Sequence, residues 1–197
     1  MKKIIFVFFM VFVACASGPE VKRVSVNTVT DISGHWNDTD SKLASEAMIT
    51  QVLKGAWLSG FKAKHPNRKP RIIVGTILNK TDEHIAVDTF TSDLEMSITN
   101  SGQAAFVAGR GEREEVRKER EEQSVYASQE TRKSPGQEIA ADYMLKGTIS
   151  SITDRSEGVM SVYYQVVMTL IDLETSEKVW MGSKKIKKVI DRPEWSM

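Results

Sequence analysis

Hydrophobic and polar positions alternate along this chain with two different periods, which predict a mixture of strands and helices. A period of two and short apolar runs predict strands over residues 24–29, 71–79, 104–108, 143–152, 159–173 and 178–188. Helical spacing predicts helices over residues 41–53, 87–101 and 110–122, with a short helix from Pro135 to Ala141. The last two strands flank a turn at residues 174–177 and are therefore predicted to form a hairpin.

The order of these elements and the chain length predict one domain. A chain of 197 residues is long enough to bury a stable hydrophobic core. Because helices and strands alternate before the hairpin, we predict an α/β (α+β) fold. This is a single compact domain with a mixed sheet of four to five strands, flanked by helices and ending in a β-hairpin. Trp36, Trp57 and Trp180 are expected to anchor its core.

The first residues have a different character from the rest of the chain. Lys2 and Lys3 precede ten apolar residues, 4–13, which are too few to span a bilayer but suit a secretory signal peptide. Cys15 is the only cysteine and follows Ala14 directly. Residues 12–15 resemble a bacterial lipobox, in which the cysteine becomes the acylated first residue, with Phe12 at the usual leucine position. We therefore predict lipidation of Cys15; the alternative is a cleaved signal with a cysteine nearby by chance.

These features divide the chain into four parts. Residues 1–14 are predicted to be the signal peptide, 15–23 the lipidated N-terminus and a short tether, 24–190 the globular domain, and 191–197 a C-terminal tail. Ala16 is not the aspartate associated with inner-membrane retention, so the resemblance implies anchoring in the outer membrane. The predicted tether has about nine residues, which reach at most about 30 Å.

Charge and cysteine content exclude several classes of partner. The full chain has 27 basic and 26 acidic residues, and removal of residues 1–14 leaves 25 against 26. This balance gives no electrostatic reason to expect nucleic-acid binding. One cysteine also excludes an internal disulfide framework and a metal site with several thiolates.

Candidate catalytic residues are sparse. His35, His65 and His84 fall in three predicted loops without metal-binding spacing. Asp38 and Asp40 lie near His35 and permit an acidic site, although turns and helix capping also account for them. No phosphate-binding loop or nucleophile elbow is present in the sequence. We predict a protein that is not an enzyme, with no cofactor, no metal and no small-molecule substrate.

Two charged segments each permit two interpretations. In residues 110–122, 11 of 13 positions are charged, which suits either a solvated helix or a docking surface for a partner. In residues 184–188, alternation places Lys185 and Lys187 on one face of a strand and Lys184, Ile186 and Lys188 on the other. Such lysines either protect a sheet edge from pairing or contact an acidic partner.

Five motifs occur in an order that resembles a known family. They are DISGHWNDTDS at 31–41, NKT at 79–81, FVA at 106–108, EIAADYMLKG at 138–147 and DLETSEKVW at 172–180. Together they resemble the LpoB family of penicillin-binding protein activators over residues 24–189. The resemblance implies an outer-membrane lipoprotein whose domain faces the periplasm and is similar to the N-terminal domain of TolB. It also implies binding and activation of a bifunctional (class A) penicillin-binding protein, a peptidoglycan synthase.

The short tether departs from the long proline-rich linker of the best-known members. Nine residues cannot cross a periplasm of ordinary width to an inner-membrane synthase. The periplasm is then locally thin, the synthase protrudes further, or this branch binds another partner. The alternative function is that of an envelope assembly or secretion-accessory lipoprotein with the same fold and no synthase partner.

Overall fold

The part of the chain that the structure describes folds into four helices and five strands. A computed structural model describes residues 20–133 and 135–191. The helices are α1 (Asp38–Leu53), α2 (Ala56–Lys64), α3 (Val87–Asn100) and α4 (Arg110–Tyr126). The strands are β1 (Arg71–Lys80), β2 (Ala105–Phe106), β3 (Tyr143–Ser156), β4 (Val159–Asp172) and β5 (Lys178–Asp191).

The five strands form one mixed sheet in the order β2-β1-β3-β4-β5. β1 runs parallel to both β2 and β3, whereas β3, β4 and β5 form an antiparallel meander. β2 and β5 are therefore the two edges of the sheet. The predicted α+β class, the mixed sheet and the final hairpin are confirmed.

The core lies between one face of the sheet and the first three helices. Met48 of α1, Phe61 of α2 and Phe90 of α3 are buried together with Ile72 of β1 and Leu145 of β3. Alternate residues of β4 from Met160 to Leu170 are buried, as the pleat of a half-buried strand requires. The three tryptophans named above also belong to this core, Trp57 as a buried residue and the other two as partly buried neighbours.

Local signals at the helix ends explain where α1 and α3 begin and end. Asn37 accepts a hydrogen bond from the Asp40 N–H, and the Asp40 carboxylate accepts one from the Asn37 N–H. This capping box starts α1 at Asp38, three residues before the predicted start. Gly102 follows α3 with φ +68°, a left-handed conformation that favours glycine at the end of a helix.

The prediction missed α2 and misplaced two other elements. α2 has only nine residues and contains Gly60, so its periodic signal is weak, but it buries Trp57, Leu58 and Phe61. Residues 24–29 are not a strand. Their polar–apolar alternation is that of a strand, but they pair with no strand of the sheet and their valines are exposed. The predicted helix from Pro135 to Ala141 was also wrong.

The loop before β3 is not helical because the chain must reach β1. Gly136 forms a turn with φ +77°. Six residues later, the Asp142 N–H donates to the Arg71 carbonyl, and the Asp142 carboxylate accepts from the Arg71 N–H at 2.8 Å. Asp142 also accepts two hydrogen bonds from the Arg68 guanidinium. These contacts bring β3 alongside β1.

Candidate functional site

A cluster of ionisable side chains joins the segment before α1 to the sheet. The Lys188 ammonium of β5 lies 2.7 Å from the Asp31 carboxylate and 2.6 Å from the Asp40 carboxylate. It also donates to the His35 carbonyl at 3.0 Å. The Lys188 side chain is only 11% exposed and that of Asp40 only 3%. We call this group, together with Glu83 and Tyr164, the polar cluster.

Glu83 forms the second half of the polar cluster. Its carboxylate accepts hydrogen bonds from the Trp36 N–H at 2.8 Å and from the Tyr164 hydroxyl. His35 Nδ1 lies 3.0 Å from the same carboxylate. Burial opposes ionisation of Glu83, but these donors outweigh it and lower its pKa. Burial and the adjacent Glu83 carboxylate raise the pKa of Tyr164.

Burial and hydrogen bonding also compete at Lys188. Burial opposes its positive charge, but hydrogen bonds to Asp31 and Asp40 outweigh burial and raise the pKa of Lys188. The hydrogen bond from Lys188 lowers the pKa of Asp31. Each of these charges therefore has a partner of opposite sign, and this arrangement stabilises the fold rather than preparing a reactive group.

The residues considered for an acidic site around His35 have different surroundings. Asp40 caps α1 and pairs with Lys188, so the capping interpretation is confirmed for this residue. Asp38 is exposed in the first turn of α1. His65 stacks against Phe61 with ring centroids 4.7 Å apart. His84 is exposed in the loop before α3.

Helix α4 lies at the surface of the domain, unlike the largely buried Lys188 and Asp40 of the polar cluster. It extends over 17 residues and buries none of them, so the core does not require it. Its arginines form an Arg110–Glu114 pair within the helix and an Arg117–Glu138 pair with the following loop. An ordered element that adds nothing to the core is a candidate for contact with another molecule.

A groove of about 320 Å³ separates α4 from β2 and the loop before β3. Ile72 and Phe106 face the core, so their neighbours Arg71, Ala105 and Val107 lie on the opposite face of the sheet. These three residues line the groove on the sheet side. On the other side it is lined by apolar Val116 and Ile139 and by Arg113, Arg120 and Glu138. We call this feature the α4 groove.

The α4 groove carries more positive charge than its single carboxylate compensates. Arg113, Arg117 and Arg120 are spaced by four and three residues and therefore share one face of α4. Glu138 makes a bidentate pair with Arg117 at 2.7 and 2.8 Å, which lowers the pKa of Glu138 and raises that of Arg117. Arg120 Nη1 is 3.6 Å from Glu138, too far for a hydrogen bond.

Two guanidinium nitrogens in the α4 groove lack hydrogen-bond partners. Among the described residues, Arg113 Nε and Arg120 Nη1 are buried and donate to no protein acceptor. Buried unpaired donors of this kind are destabilising and uncommon in folded proteins. The sequence marked the charged helix as a possible docking surface, but it did not reveal the groove, because the groove needs residues from β1, β2 and the loop before β3.

The lysines of β5 have the predicted alternation. Lys185 and Lys187 are exposed, whereas Lys184, Ile186 and Lys188 are partly buried on the other face. Gln51 of α1 makes two hydrogen bonds with the Ser183 backbone, which occupies part of the outer edge. Lys188 therefore has a structural role, whereas for Lys185 and Lys187 edge protection and contact with an acidic partner both stay predictions.

The remaining predicted site residue, Cys15, lies outside the described residues. Within residues 20–133 and 135–191, no helix has the length and apolarity needed to cross a bilayer. The same residues contain no group of three or more histidine, cysteine or acidic side chains arranged to hold a metal ion.

Comparison with known families adds an independent observation. A family model described as the peptidoglycan-synthase activator LpoB matches residues 40–186, three quarters of the chain. This chain belongs to the LpoB family. The match runs from Asp40 of the polar cluster to Ile186 of β5, so it includes α4 and the α4 groove. The family resemblance read from the five motifs is confirmed.

Several solved structures are similar to this LpoB-family chain. The C-terminal domain of Escherichia coli LpoB has 14% identity and a TM-score of 0.41, covering 75% of this chain and 98% of that one. The corresponding Salmonella enterica domain has 15% identity and a TM-score of 0.40 with the same coverage. An NMR structure of E. coli LpoB has 15% identity and a TM-score of 0.39, covering 90% and 85%. No curated protein matches the sequence.

Proposed function

We propose that this protein is a non-enzymatic outer-membrane lipoprotein that binds and activates a bifunctional (class A) penicillin-binding protein. The family match over residues 40–186 carries this proposal, because the family is described as an activator of peptidoglycan synthases. The polar cluster supports a binding role as well. Its Lys188, Asp31 and Asp40 side chains are engaged in ion pairs within the fold, and its Glu83 carboxylate accepts hydrogen bonds from Trp36 and Tyr164.

Activation requires only that the protein bind the active conformation of the synthase more tightly than the inactive one. A ligand shifts such an equilibrium by its differential affinity and needs no chemistry of its own. The α4 surface is suited to this contact, because α4 buries no residue and a change there leaves the core intact. We therefore place the synthase contact on α4 and the α4 groove.

Acylation of Cys15 would hold the domain at the periplasmic side of the outer membrane. Residues 20–30 form neither helix nor strand, and Asn27 is tied to the domain because its side-chain carbonyl accepts a hydrogen bond from the Lys42 ammonium of α1. Twelve residue steps separate Cys15 from Asn27. Such a segment reaches at most about 40 Å when extended, against about 30 Å for the nine residues first counted. The longer reach eases access to a synthase anchored in the inner membrane.

The activator function can be tested with the mature chain carrying Cys15→Ser, which removes the acyl acceptor and keeps the domain. The purified chain is mixed with the organism's class A synthase, and both capture of the synthase and the rate of glycan polymerisation are measured. The proposal expects stable capture and a rate that rises to a plateau. Capture without stimulation would contradict activation, and absence of both would contradict the function.

The lipid anchor needs a separate experiment in cells. Cys15→Ser is expected to move the protein from the membrane pellet to the soluble periplasmic fraction, because the acyl chains supply the membrane affinity. A Ser17→Ala variant is the matched control, since it changes a neighbouring residue and keeps the thiol. Membrane retention of Cys15→Ser, with the signal peptide shown to be removed, would contradict the anchor.

A further inference from the structure

We infer that the α4 groove binds an extended acidic segment of the synthase, with a carboxylate between Arg113 and Arg120. This inference rests on the proposed function and deepens it by stating the chemistry of the bound segment. Both arginines line the groove, and each has a buried guanidinium nitrogen without an acceptor among the described residues. A carboxylate is the acceptor that guanidinium groups bind most strongly, through charge-assisted and often bidentate hydrogen bonds.

The charges around the groove favour an anionic occupant. Arg71, Arg113 and Arg120 line it, and Glu138 is the only acidic residue among the residues that line it. The adjacent depression adds Arg117 and Glu121, one charge of each sign. Arg117 already uses both oxygens of that carboxylate. An incoming carboxylate therefore meets an excess of positive charge in a partly desolvated site, where the attraction is stronger than in water.

The sheet side of the groove suits an extended backbone. The Ala105 N–H donates to the Pro70 carbonyl, and the Val107 N–H donates to the Ile72 carbonyl. The backbone N–H groups of these two residues therefore point towards β1. Phe106 lies between them, and its N–H and carbonyl therefore point away from β1 at the edge of the sheet. A partner segment can pair with this edge, as in other cases of strand addition. Val116 and Ile139, exposed by 43% and 54%, would contact its apolar side chains.

The test combines a binding measurement with a matched pair of variants. Arg113→Gln with Arg120→Gln removes the two guanidinium groups that each have a nitrogen without a hydrogen-bond acceptor. Arg110→Gln with Lys118→Gln removes the same amount of charge from exposed positions on α4 outside the groove. The affinity of each mature chain for the synthase is measured at low and high salt, and an unfolding curve is recorded for each.

We expect the groove variant to bind the synthase at least about tenfold more weakly, the loss typical of a charged hydrogen bond. Its affinity should also depend less on salt, since fewer charges interact. The control variant should bind within about twofold of the wild type. Equal binding by the groove variant and the wild type would overturn the inference while leaving the proposed function in place. A wild-type chain that does not bind the synthase would remove both.

Peptides identify the bound segment. Overlapping peptides from the periplasmic part of the synthase are screened against the wild-type chain and the groove variant. The inference expects one acidic peptide that binds the wild type, loses affinity for the groove variant, and loses affinity when its carboxylates are replaced by amides. A non-acidic peptide, or selective binding of anionic lipid vesicles through the same arginines, would overturn it.

Discussion

The polar cluster and the α4 groove both concentrate charge, yet they differ in how those charges are paired. In the polar cluster, Lys188 contacts two carboxylates and Glu83 accepts three hydrogen bonds or ion contacts. In the groove, Arg113 and Arg120 each retain a buried nitrogen without an acceptor among the described residues. Ionised groups whose hydrogen bonds are completed internally belong to the fold, whereas buried donors without an acceptor favour contact with another molecule.

The largest effect should come from breaking the polar cluster at Lys188. Lys188→Ala leaves the buried Asp40 carboxylate without its cation. We expect the free energy of unfolding to fall by about 3 kcal/mol, the usual cost of an uncompensated buried charge. Urea denaturation of the variant and the wild type measures this change in the free energy of unfolding. The control is Lys187→Ala on the exposed face of β5, which is expected to change the free energy of unfolding by less than about 0.5 kcal/mol. Equal losses for the two variants would show that the ion pairs of Lys188 do not stabilise the fold.

Acid should weaken the polar cluster as well. The pKa values of Asp31 and Glu83 are lowered in the folded chain, so their ionised forms stabilise it. That contribution is complete above the ordinary carboxylate pKa, about 4, and is lost as pH falls through the lower folded values. Urea midpoints recorded from pH 7 to pH 2.5 should therefore decline below about pH 4. Glu83→Gln should flatten this decline, and an unchanged slope would show that Glu83 does not contribute.

A smaller loss is expected from the hydroxyl of Tyr164. Tyr164→Phe keeps the ring, which packs edge-on against Trp36 at 5.4 Å, but removes the hydrogen bond to Glu83. We expect the free energy of unfolding to fall by about 1–2 kcal/mol, as for a hydrogen bond to a charged group. Tyr163→Phe on the opposite face is the matched control. A loss at Tyr163 equal to that at Tyr164 would contradict the role assigned to the hydroxyl.

The smallest effect on stability should come from α4. Arg117→Gln removes an exposed pair with Glu138, and exposed pairs contribute little to stability because solvent screens them. We expect no resolvable change in the urea midpoint of unfolding. A loss comparable to that of Lys188→Ala would mean that α4 supports the fold, and the contrast between the two regions would be wrong.

The sequence was informative where periodicity and local capping determine structure. The strand pattern from Tyr143 onwards predicted β3, β4, β5 and the final hairpin, and helical spacing predicted α3 to within one residue. Residues 24–29 have the same alternation as a true strand, but alternation cannot say whether a partner strand exists. The helix α2 was missed because nine residues give little periodicity.

The candidate site was less accessible from the sequence. Residues 110–122 were identified as a possible docking helix from charge alone. Neither the α4 groove nor the pairing of Lys188 with Asp31 could be predicted, because both join residues that are far apart in the chain. Charge along a sequence reveals which residues are polar, but only tertiary contacts determine which of them remain unpaired.

Photo-crosslinking in intact cells tests the synthase contact most directly. A photoreactive residue is placed at Val116 in the α4 groove or, in a second strain, at Ile152, which is exposed on β3. The account predicts that a class A synthase is captured from Val116 and not from Ile152. Capture of the synthase from Ile152 alone, or capture of an unrelated envelope protein from Val116, would contradict it.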